Sequence, residues 1–424
     1  MSTEVFQTDS RVEAKSLPNM VLMLLGKLVS LLGSYIYSFV MGLYVLKVTG
    51  SAMSFAATLV FGTLPRIILA PFAGALADRF DRKKMVVGMD LVCGAVLLLL
   101  YGISSSYGLR IPFIYGAAFL LALANTFLNV ALDAAIPNLV SDRHLVRINS
   151  LSQSIVSLTQ IIAPFAGGLV YGLVDTRIFV LIAGGSFIAS AISEAFIDFR
   201  LNAPPAAEGE ARTESIFVQM REGFRFLRQN SILLTIGLFA VFLNFFAGLG
   251  FGVAIPYIIN NVLEMDPSLY GIISAFMPAG ILISSILLSM LPEFRRRYRA
   301  IFLGLLAMAV ALMASGLPAA PVLMDLGHGP IFVFYLILML ASGLANPFVN
   351  IPLFVMMQRQ TPDNYRGRVF GLVQTMCMAI TPVAYLLAGA ITERVPPWSV
   401  PLGSGLAMLM VVLLLAGNKE IQAI

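Results

Sequence analysis

Asn125, Asn129 and Asp133 recur at i, i+4 and i+8 within an otherwise apolar run. On a helix this spacing forms one stripe. Hydrocarbon offers no hydrogen bonds, so such a stripe on a membrane-embedded helix must face protein or water. Asp133 is the titratable member, and a carboxyl in an apolar run can take up and release a proton. It falls roughly 9 Å from the polar end of its run at helical rise. Two readings stay open: a proton carrier, or the fixed partner of Lys27 or Arg66 in an ion pair that holds helices together. Asp90 and Glu194 also lie in apolar runs and are further proton-coupling candidates, because intramembrane charge is costly enough to be functional by default. Glu194 sits near the end of its run and is expected to reach headgroup water. Lys27, about 10 Å from the same kind of boundary, is expected to snorkel to it. Arg66 lies too deep for that and needs Asp133 or Asp90 as partner.

Composition says which elements position these residues. Hydrophobic residues make up 59% of the 424-residue chain and charged residues 12%, where a soluble domain carries about 25% charge. The chain therefore reads as an all-α polytopic membrane protein. Twelve apolar runs are each long enough to span a bilayer, over 20–46, 52–76, 84–105, 111–139, 149–173, 178–197, 231–257, 269–291, 300–317, 330–356, 368–391 and 398–416. An even number of spans puts both termini on one side. Alternate loops hold nearly all the basic residues, and the other set carries only Lys47, Arg110, Arg177 and Arg394. The positive-inside rule makes the basic loops, and both termini, cytoplasmic.

Several function classes are excluded or unsupported. The net charge of +5 sits in short loops between spans, which argues against nucleic acid as a partner. Cys93 and Cys377 lie far apart in apolar runs, and His144 and His328 fall on opposite sides of the membrane. Neither a disulfide framework nor a metal motif results. No phosphate loop or nucleophile motif occurs, so neither an enzyme nor a cofactor is expected. The N-terminus lacks the basic and small-residue features of a cleaved signal.

The chain divides into a polar tail (1–19), a first bundle (20–198), a linker segment (199–230), a second bundle (231–416) and a short tail (417–424). Asn202–Arg212 is rich in Pro, Ala and Glu and has little to bury. Beyond it, Ile216, Phe217, Met220, Phe224 and Leu227 share one helical face opposite Arg221, Arg225 and Arg228. That pattern fits a helix in the headgroup layer or a cap packed on helix ends. The bundles resemble repeats: Leu123–Leu151 aligns without a gap to Leu344–Leu372, pairing Asn125 with Asn346, Asn129 with Asn350, Asp142 with Asp363 and Arg147 with Arg368. Parallel repeats are typical of secondary transporters, with the substrate site near the midplane between halves.

The stretch Gly74–Lys84 packs Asp78, Arg79, Asp81, Arg82, Lys83 and Lys84 between two apolar runs and is expected to form a tight turn at the membrane surface. Its Gly74, Asp78, Arg79, Arg82 and Lys83 resemble the loop between helices 2 and 3 of the major facilitator superfamily. Asp81, where that family usually has Gly, resembles the macrolide-efflux branch. Gln358–Arg368, with Asp363, Arg366, Gly367 and Arg368, is similar to a second-half loop of the same branch. Pro164, Gly167 and Gly168 resemble the latter part of the family's antiporter motif, with Ala163 in place of its Gly. The resemblance implies twelve helices in two pseudo-symmetric six-helix bundles, alternating access, and loop ion pairs acting as gates. It implies a monomeric exporter of amphipathic, macrolide- or drug-like molecules in the bacterial plasma membrane, coupled to protons. Phe127, Phe242, Phe245, Phe246, Met277 and Met356 are candidates to line an adaptable cavity. A siderophore or lipid exporter, and a non-transporting sensor or scaffold, are the alternatives.

Overall fold

In a computed structural model the backbone is described for residues 2–199, 201, 216–290, 297–321, 323 and 326–416, and side chains for these except 2–12, 14, 70–79, 142, 216–220, 297, 363–364 and 415–416. Every regular element among these residues is helical. In chain order they are α1 (Ser2–Thr49), α2 (Ala52–Arg79), α3 (Arg82–Tyr107), α4 (Ile111–Leu139), α5 (Asp142–Leu173), α6 (Thr176–Ala195) and α7 (Ile216–Gln229). Then come α8 (Ser231–Val262), α9 (Pro267–Met290), α10 (Arg297–Ala314), α11 (His328–Gln360), α12 (Asp363–Thr392) and α13 (Ser399–Ala416). Eleven are long and apolar enough to cross a membrane, and α13 contributes a shorter apolar helix over Ser399–Leu414. Large apolar side chains such as Leu99, Leu173, Ile182 and Ile337 stay exposed, as helices facing lipid require.

Local chemistry sets the helix ends. Gly50 takes φ +62°, a conformation that ends a helix cheaply only at Gly, and its N–H donates to Leu46 O at 2.9 Å. Ser51 Oγ then accepts from Ser54 N–H at 3.1 Å, capping α2. The expected turn from Gly74 to Lys84 shrinks to Phe80 and Asp81. Ala75, Leu76 and Ala77 are strong helix formers that carry α2 through to Arg79. Asp81 starts α3 at once by accepting from Lys84 N–H at 3.2 Å. α8 extends past the expected end at 257 because π-helical turns at Gly248–Ala254 and Ile258–Val262 carry it onward.

The chain forms two compact units: Met1–Met41 with Phe61–Thr213, and Gly42–Val60 with Glu214–Ile424. In the first, α3 and α6 approach through Gly94 and Gly184. A Cβ on Gly94 would lie 3.1 Å from Gly184 O and 2.6 Å from Ile188 Cγ1, so only glycine allows this spacing. Met23, Val86, Leu132, Leu139 and Ile148 fill the core. The polar tail over 1–19 is helical from Ser2, and its last turns are docked. Asn19 Nδ2 donates to Leu139 O and Asp198 O, each at 3.0 Å. Ser16 Oγ accepts from Ser141 N–H at 2.9 Å, and Glu13 accepts from Ser141 Oγ at 2.9 Å. These contacts satisfy carbonyls and an amide at or beside helix ends that would otherwise be orphaned.

In the second unit α9 and α11 meet at Gly280 and Gly343, where a Cβ on Gly343 would stand 2.2 Å from Met277 O. Gly250 and Gly252 admit Leu312 and Tyr385 against α8. α7 is a cap on this unit. Leu227 is fully buried in the core, Phe226 stacks on Tyr365 with centroids 4.6 Å apart, and Glu222 pairs with Arg368. Phe224 is 50% exposed, so the buried face runs through Gly223, Phe226 and Leu227 rather than through Phe224. The side chains of Ile216, Phe217 and Met220 lie outside the described residues.

Candidate transport site

Within the first unit the intramembrane charges sort into two clusters. The first joins α1, α4 and α5. Lys27 Nζ donates to Asp133 Oδ1 at 2.7 Å and to Ser152 Oγ at 2.8 Å. The Lys27 side chain is 5% exposed and that of Asp133 59%. Lys27 therefore does not snorkel. A partner within hydrogen-bond reach compensates the buried ammonium better than a strained path to the surface would. Asp133 keeps most of its surface open, which within a spanning helix is tolerated where that surface is wetted. Arg66 is exposed and is the partner of neither Asp133 nor Asp90, contrary to expectation.

The stripe above Asp133 is tied to its own helix. Asn125 Nδ2 donates to Leu121 O at 2.8 Å, its Oδ1 accepts from Ser34 Oγ at 3.0 Å, and Asn129 Nδ2 donates to Asn125 O at 2.8 Å. In the second unit Asn350 Nδ2 donates to Asn346 O at 3.3 Å and to Asn346 Oδ1 at 2.8 Å. The aligned repeats also end alike: α4 stops at Leu139 and α5 starts at Asp142, while α11 stops at Gln360 and α12 starts at Asp363.

The second cluster joins α1, α3 and α6. Ser30 Oγ lies 3.0 Å and 2.8 Å from the two Asp90 oxygens and 3.0 Å from Ser190 Oγ. Glu194 completes it. The expectation that Glu194 reaches headgroup water fails, for it is 0% exposed. The close α3–α6 approach at Gly94 and Gly184 draws Glu194 into the bundle. A Cβ on Gly26 would sit 2.6 Å from Glu194 Oε1, so glycine makes room for the carboxyl. Sequence reading missed Gly26, Ser30, Ser152 and Ser190. The available signals were the i, i+4 pairs Gly26–Ser30 and Ser190–Glu194, each a small or hydroxyl residue one turn from a partner.

Among the loop motifs, the side chains of Gly74, Asp78, Arg79 and Asp363 lie outside the described residues. Arg82 Nη1 donates to Ala134 O at 2.7 Å, tying α3 to α4, and Lys83 Nζ donates to Ile197 O at 3.1 Å, just past the end of α6. Arg366 Nη2 reaches Gln358 O at 3.4 Å, Gly367 is exposed, and Arg368 pairs with Glu222. Pro164 lies inside an unbroken α5. Gly167 and Gly168 are buried, and a Cβ on Gly167 would come 2.7 Å from Phe39 Cδ1. That motif packs α5 on α1. Of the aromatic and Met set, Met356 is buried in the second core, Phe242 is 49% exposed, and Phe246 lies against both Phe242 and Phe245. Among the described residues no group of three or more His, Cys, Asp or Glu could hold a metal ion.

Comparison with known proteins agrees with this architecture. Solved structures of similar fold include the nucleoside transporter NupG, with TM-score 0.71 and 14% identity over 95% of this chain and 99% of that one. A bacterial homologue of the iron transporter ferroportin in an inward-facing state gives TM-score 0.68 and 16% identity, covering 95% and 99%. Macrolide efflux protein A of Streptococcus pyogenes is 26% identical over 375 residues, 87% of this chain and 88% of that protein. The multidrug efflux pump Tap of Mycolicibacterium fortuitum is 22% identical over 86% of this chain and 87% of its own. The enterobactin exporter EntS of Escherichia coli is 25% identical over 81% of this chain and 77% of its own. The family model described as Major Facilitator Superfamily matches residues 23–385. This chain is a multi-pass membrane transporter and belongs to the Major Facilitator Superfamily.

Proposed function

We propose that this transporter exports amphipathic, macrolide- or drug-like small molecules by alternating access, in exchange for protons. It works as a monomer in the bacterial plasma membrane with both termini cytoplasmic. The observation that carries the reading is the set of carboxyls held inside the spanning helices of the first unit: Asp133 on Lys27, and Asp90 beside Glu194. An exchanger needs a group that is charged in one half of its cycle and neutral in the other, and buried carboxyls are suited to that. The efflux relatives support the outward direction and the substrate class. On this reading Asn125, Asn129, Asn346 and Asn350 orient substrate. The basic helix-end segments with Gly74, Asp78, Arg79, Arg82 and Lys83, and with Asp363, Arg366, Gly367 and Arg368, act as gates. Pro164, Gly167 and Gly168 keep α5 close to α1. Arg66, exposed and paired with neither Asp133 nor Asp90, takes no part in the coupling.

The enterobactin exporter among the relatives favours a second reading, export of a siderophore. One experiment separates the two: efflux of a macrolide and a catecholate siderophore from cells with and without the protein, with the proton gradient collapsed in one arm. Macrolide efflux that stops on collapse supports the first reading. Siderophore efflux alone supports the second, and efflux of neither points to a sensor or scaffold.

A further inference from the structure

Asp90 and Glu194 are both 0% exposed. Neither Glu194 oxygen has a hydrogen-bond partner, and its carboxyl borders the same cluster of Gly26, Ser30 and Ser190 that holds Asp90. Two ionised carboxylates are both acceptors, so neighbouring carboxyls can be joined by a hydrogen bond only when one of them carries a proton. No described basic side chain is an ion-pair partner of either group. The elements packed around them supply none. On α1, Lys27 is taken up by Asp133 of α4 and Ser152 of α5. On α3, Lys83 donates to Ile197 O and Cys93 is a buried free cysteine. Two adjacent negative charges in a buried site cost far more than neutralising one of them.

The surroundings are built for such a pair. Ser30 donates to Asp90 and lies against Ser190, whose Oγ also reaches Gly26 O at 3.3 Å. Ser30 marks Asp90 as the charged acceptor and leaves Glu194 as the acid. The missing Cβ of Gly26 gives Glu194 its place. We propose that Asp90 and Glu194 share one proton in an occluded site closed by Gly26, Ser30 and Ser190, and that this proton is the ion exchanged for substrate. Asp133 is then a positioning partner for Lys27. In the step itself, the Glu194 O–H bond breaks, the proton passes to water on one side of the membrane and leaves a dicarboxylate. A proton from water on the other side restores the acid. The coupling role rests on the proton-exchange reading above, whereas the shared proton does not.

The test uses the full chain in bilayers of phosphatidylethanolamine and phosphatidylglycerol. Infrared spectroscopy at neutral pH should find the carbonyl stretch of a protonated carboxylic acid in the parent protein and in Asp133→Asn. The band should be lost in Glu194→Gln, whose amide still donates to Asp90 and preserves the fold. An unchanged band in Glu194→Gln, or a band abolished by replacing potassium with sodium, overturns the shared proton. In vesicles, Glu194→Gln should lose accumulation driven by a pH gradient while keeping exchange of labelled for unlabelled macrolide. Retained gradient-driven accumulation, or loss of exchange as well, overturns the coupling role. Absence of macrolide transport by the parent protein would refute the export reading and leave the infrared result standing.

Discussion

The pair between Lys27 and Asp133 gives a prediction that follows from its asymmetry. At a separation of 2.7 Å, two unit charges attract by about 1.5 kcal/mol at the dielectric of water and about 6 kcal/mol at an effective dielectric of 20. Asp133 is 59% exposed, which moves the attraction toward the lower figure. Lys27 is 5% exposed, so its ammonium has lost most of its hydration and depends on the two oxygens it touches. Asp133→Asn removes the counter-charge and strands a buried cation with Ser152 and an amide. The expected cost is about 2–3 kcal/mol, below the 3–5 kcal/mol typical of fully buried pairs, because Asp133 is 59% exposed. Lys27→Met removes the buried charge altogether, fills the same space and leaves an exposed carboxylate that water solvates. Its cost is about 1 kcal/mol, chiefly the Ser152 hydroxyl left without its donor. Denaturant or thermal unfolding in lipid–detergent micelles, followed by tryptophan-independent thiol labelling of buried Cys93, measures both. A larger loss for Lys27→Met than for Asp133→Asn would refute the reasoning, because it would mean that the ammonium contributes more than it costs.

Other outcomes follow from the same kind of argument. Gly343→Val should abolish a folded second unit, since even a Cβ stands 2.2 Å from Met277 O and backbone cannot move aside cheaply. Gly403→Ala, where nothing lies within 4 Å, should fold normally, and monodispersity on size exclusion reads both. Gly167→Ala should lower stability by about 1–3 kcal/mol, and Phe39→Ala should rescue it, because the intruding Cβ meets the Phe39 ring. Leu227→Ala should destabilise the α7 cap by about 2–5 kcal/mol, while Glu222→Gln should cost under about 1 kcal/mol because its pair with Arg368 is partly solvated. Protease accessibility of α7 distinguishes these two. Glu393 accepts from Ser51 Oγ at 2.5 Å and from Met53 N–H at 3.0 Å, and these bonds, Ser51 first, hold its carboxyl below the usual range. A depressed folded value means its stabilisation is present above the unfolded value of about 4.3 and is lost as pH falls through the folded one. Glu393→Gln should therefore lower thermal stability at neutral pH, with the difference closing in acid.

Much of the architecture was legible because lipid constrains sequence strongly: a span needs a long apolar run, and the loops need charge. The boundary at Leu139–Asp142 and its repeat at Gln360–Asp363 could be read from aligned polar residues. The partners of the buried charges could not. For Asp133 the sequence left Lys27 and Arg66 both open, and the pair with Lys27 forms across 106 residues of chain, because periodicity says which face a residue occupies but not which helix lies opposite. Glu194 illustrates the other limit. Its depth depends on how closely α3 and α6 pack, and that closeness comes from Gly94 and Gly184, which look unremarkable among many small residues. The helical extension of α1 was missed because its polar residues read as solvent-facing, whereas Ser16 and Asn19 are polar in order to bind chain ends. The π turns of α8 leave no mark beyond the glycines, which serve packing equally well.

Transport in everted membrane vesicles tests proton-coupled export most directly. The measurement is accumulation of radiolabelled macrolide on imposing an interior-acid pH gradient, with and without a protonophore. Accumulation that depends on the protein and collapses with the gradient is the expected result. Accumulation that persists undiminished after the gradient is dissipated would contradict it.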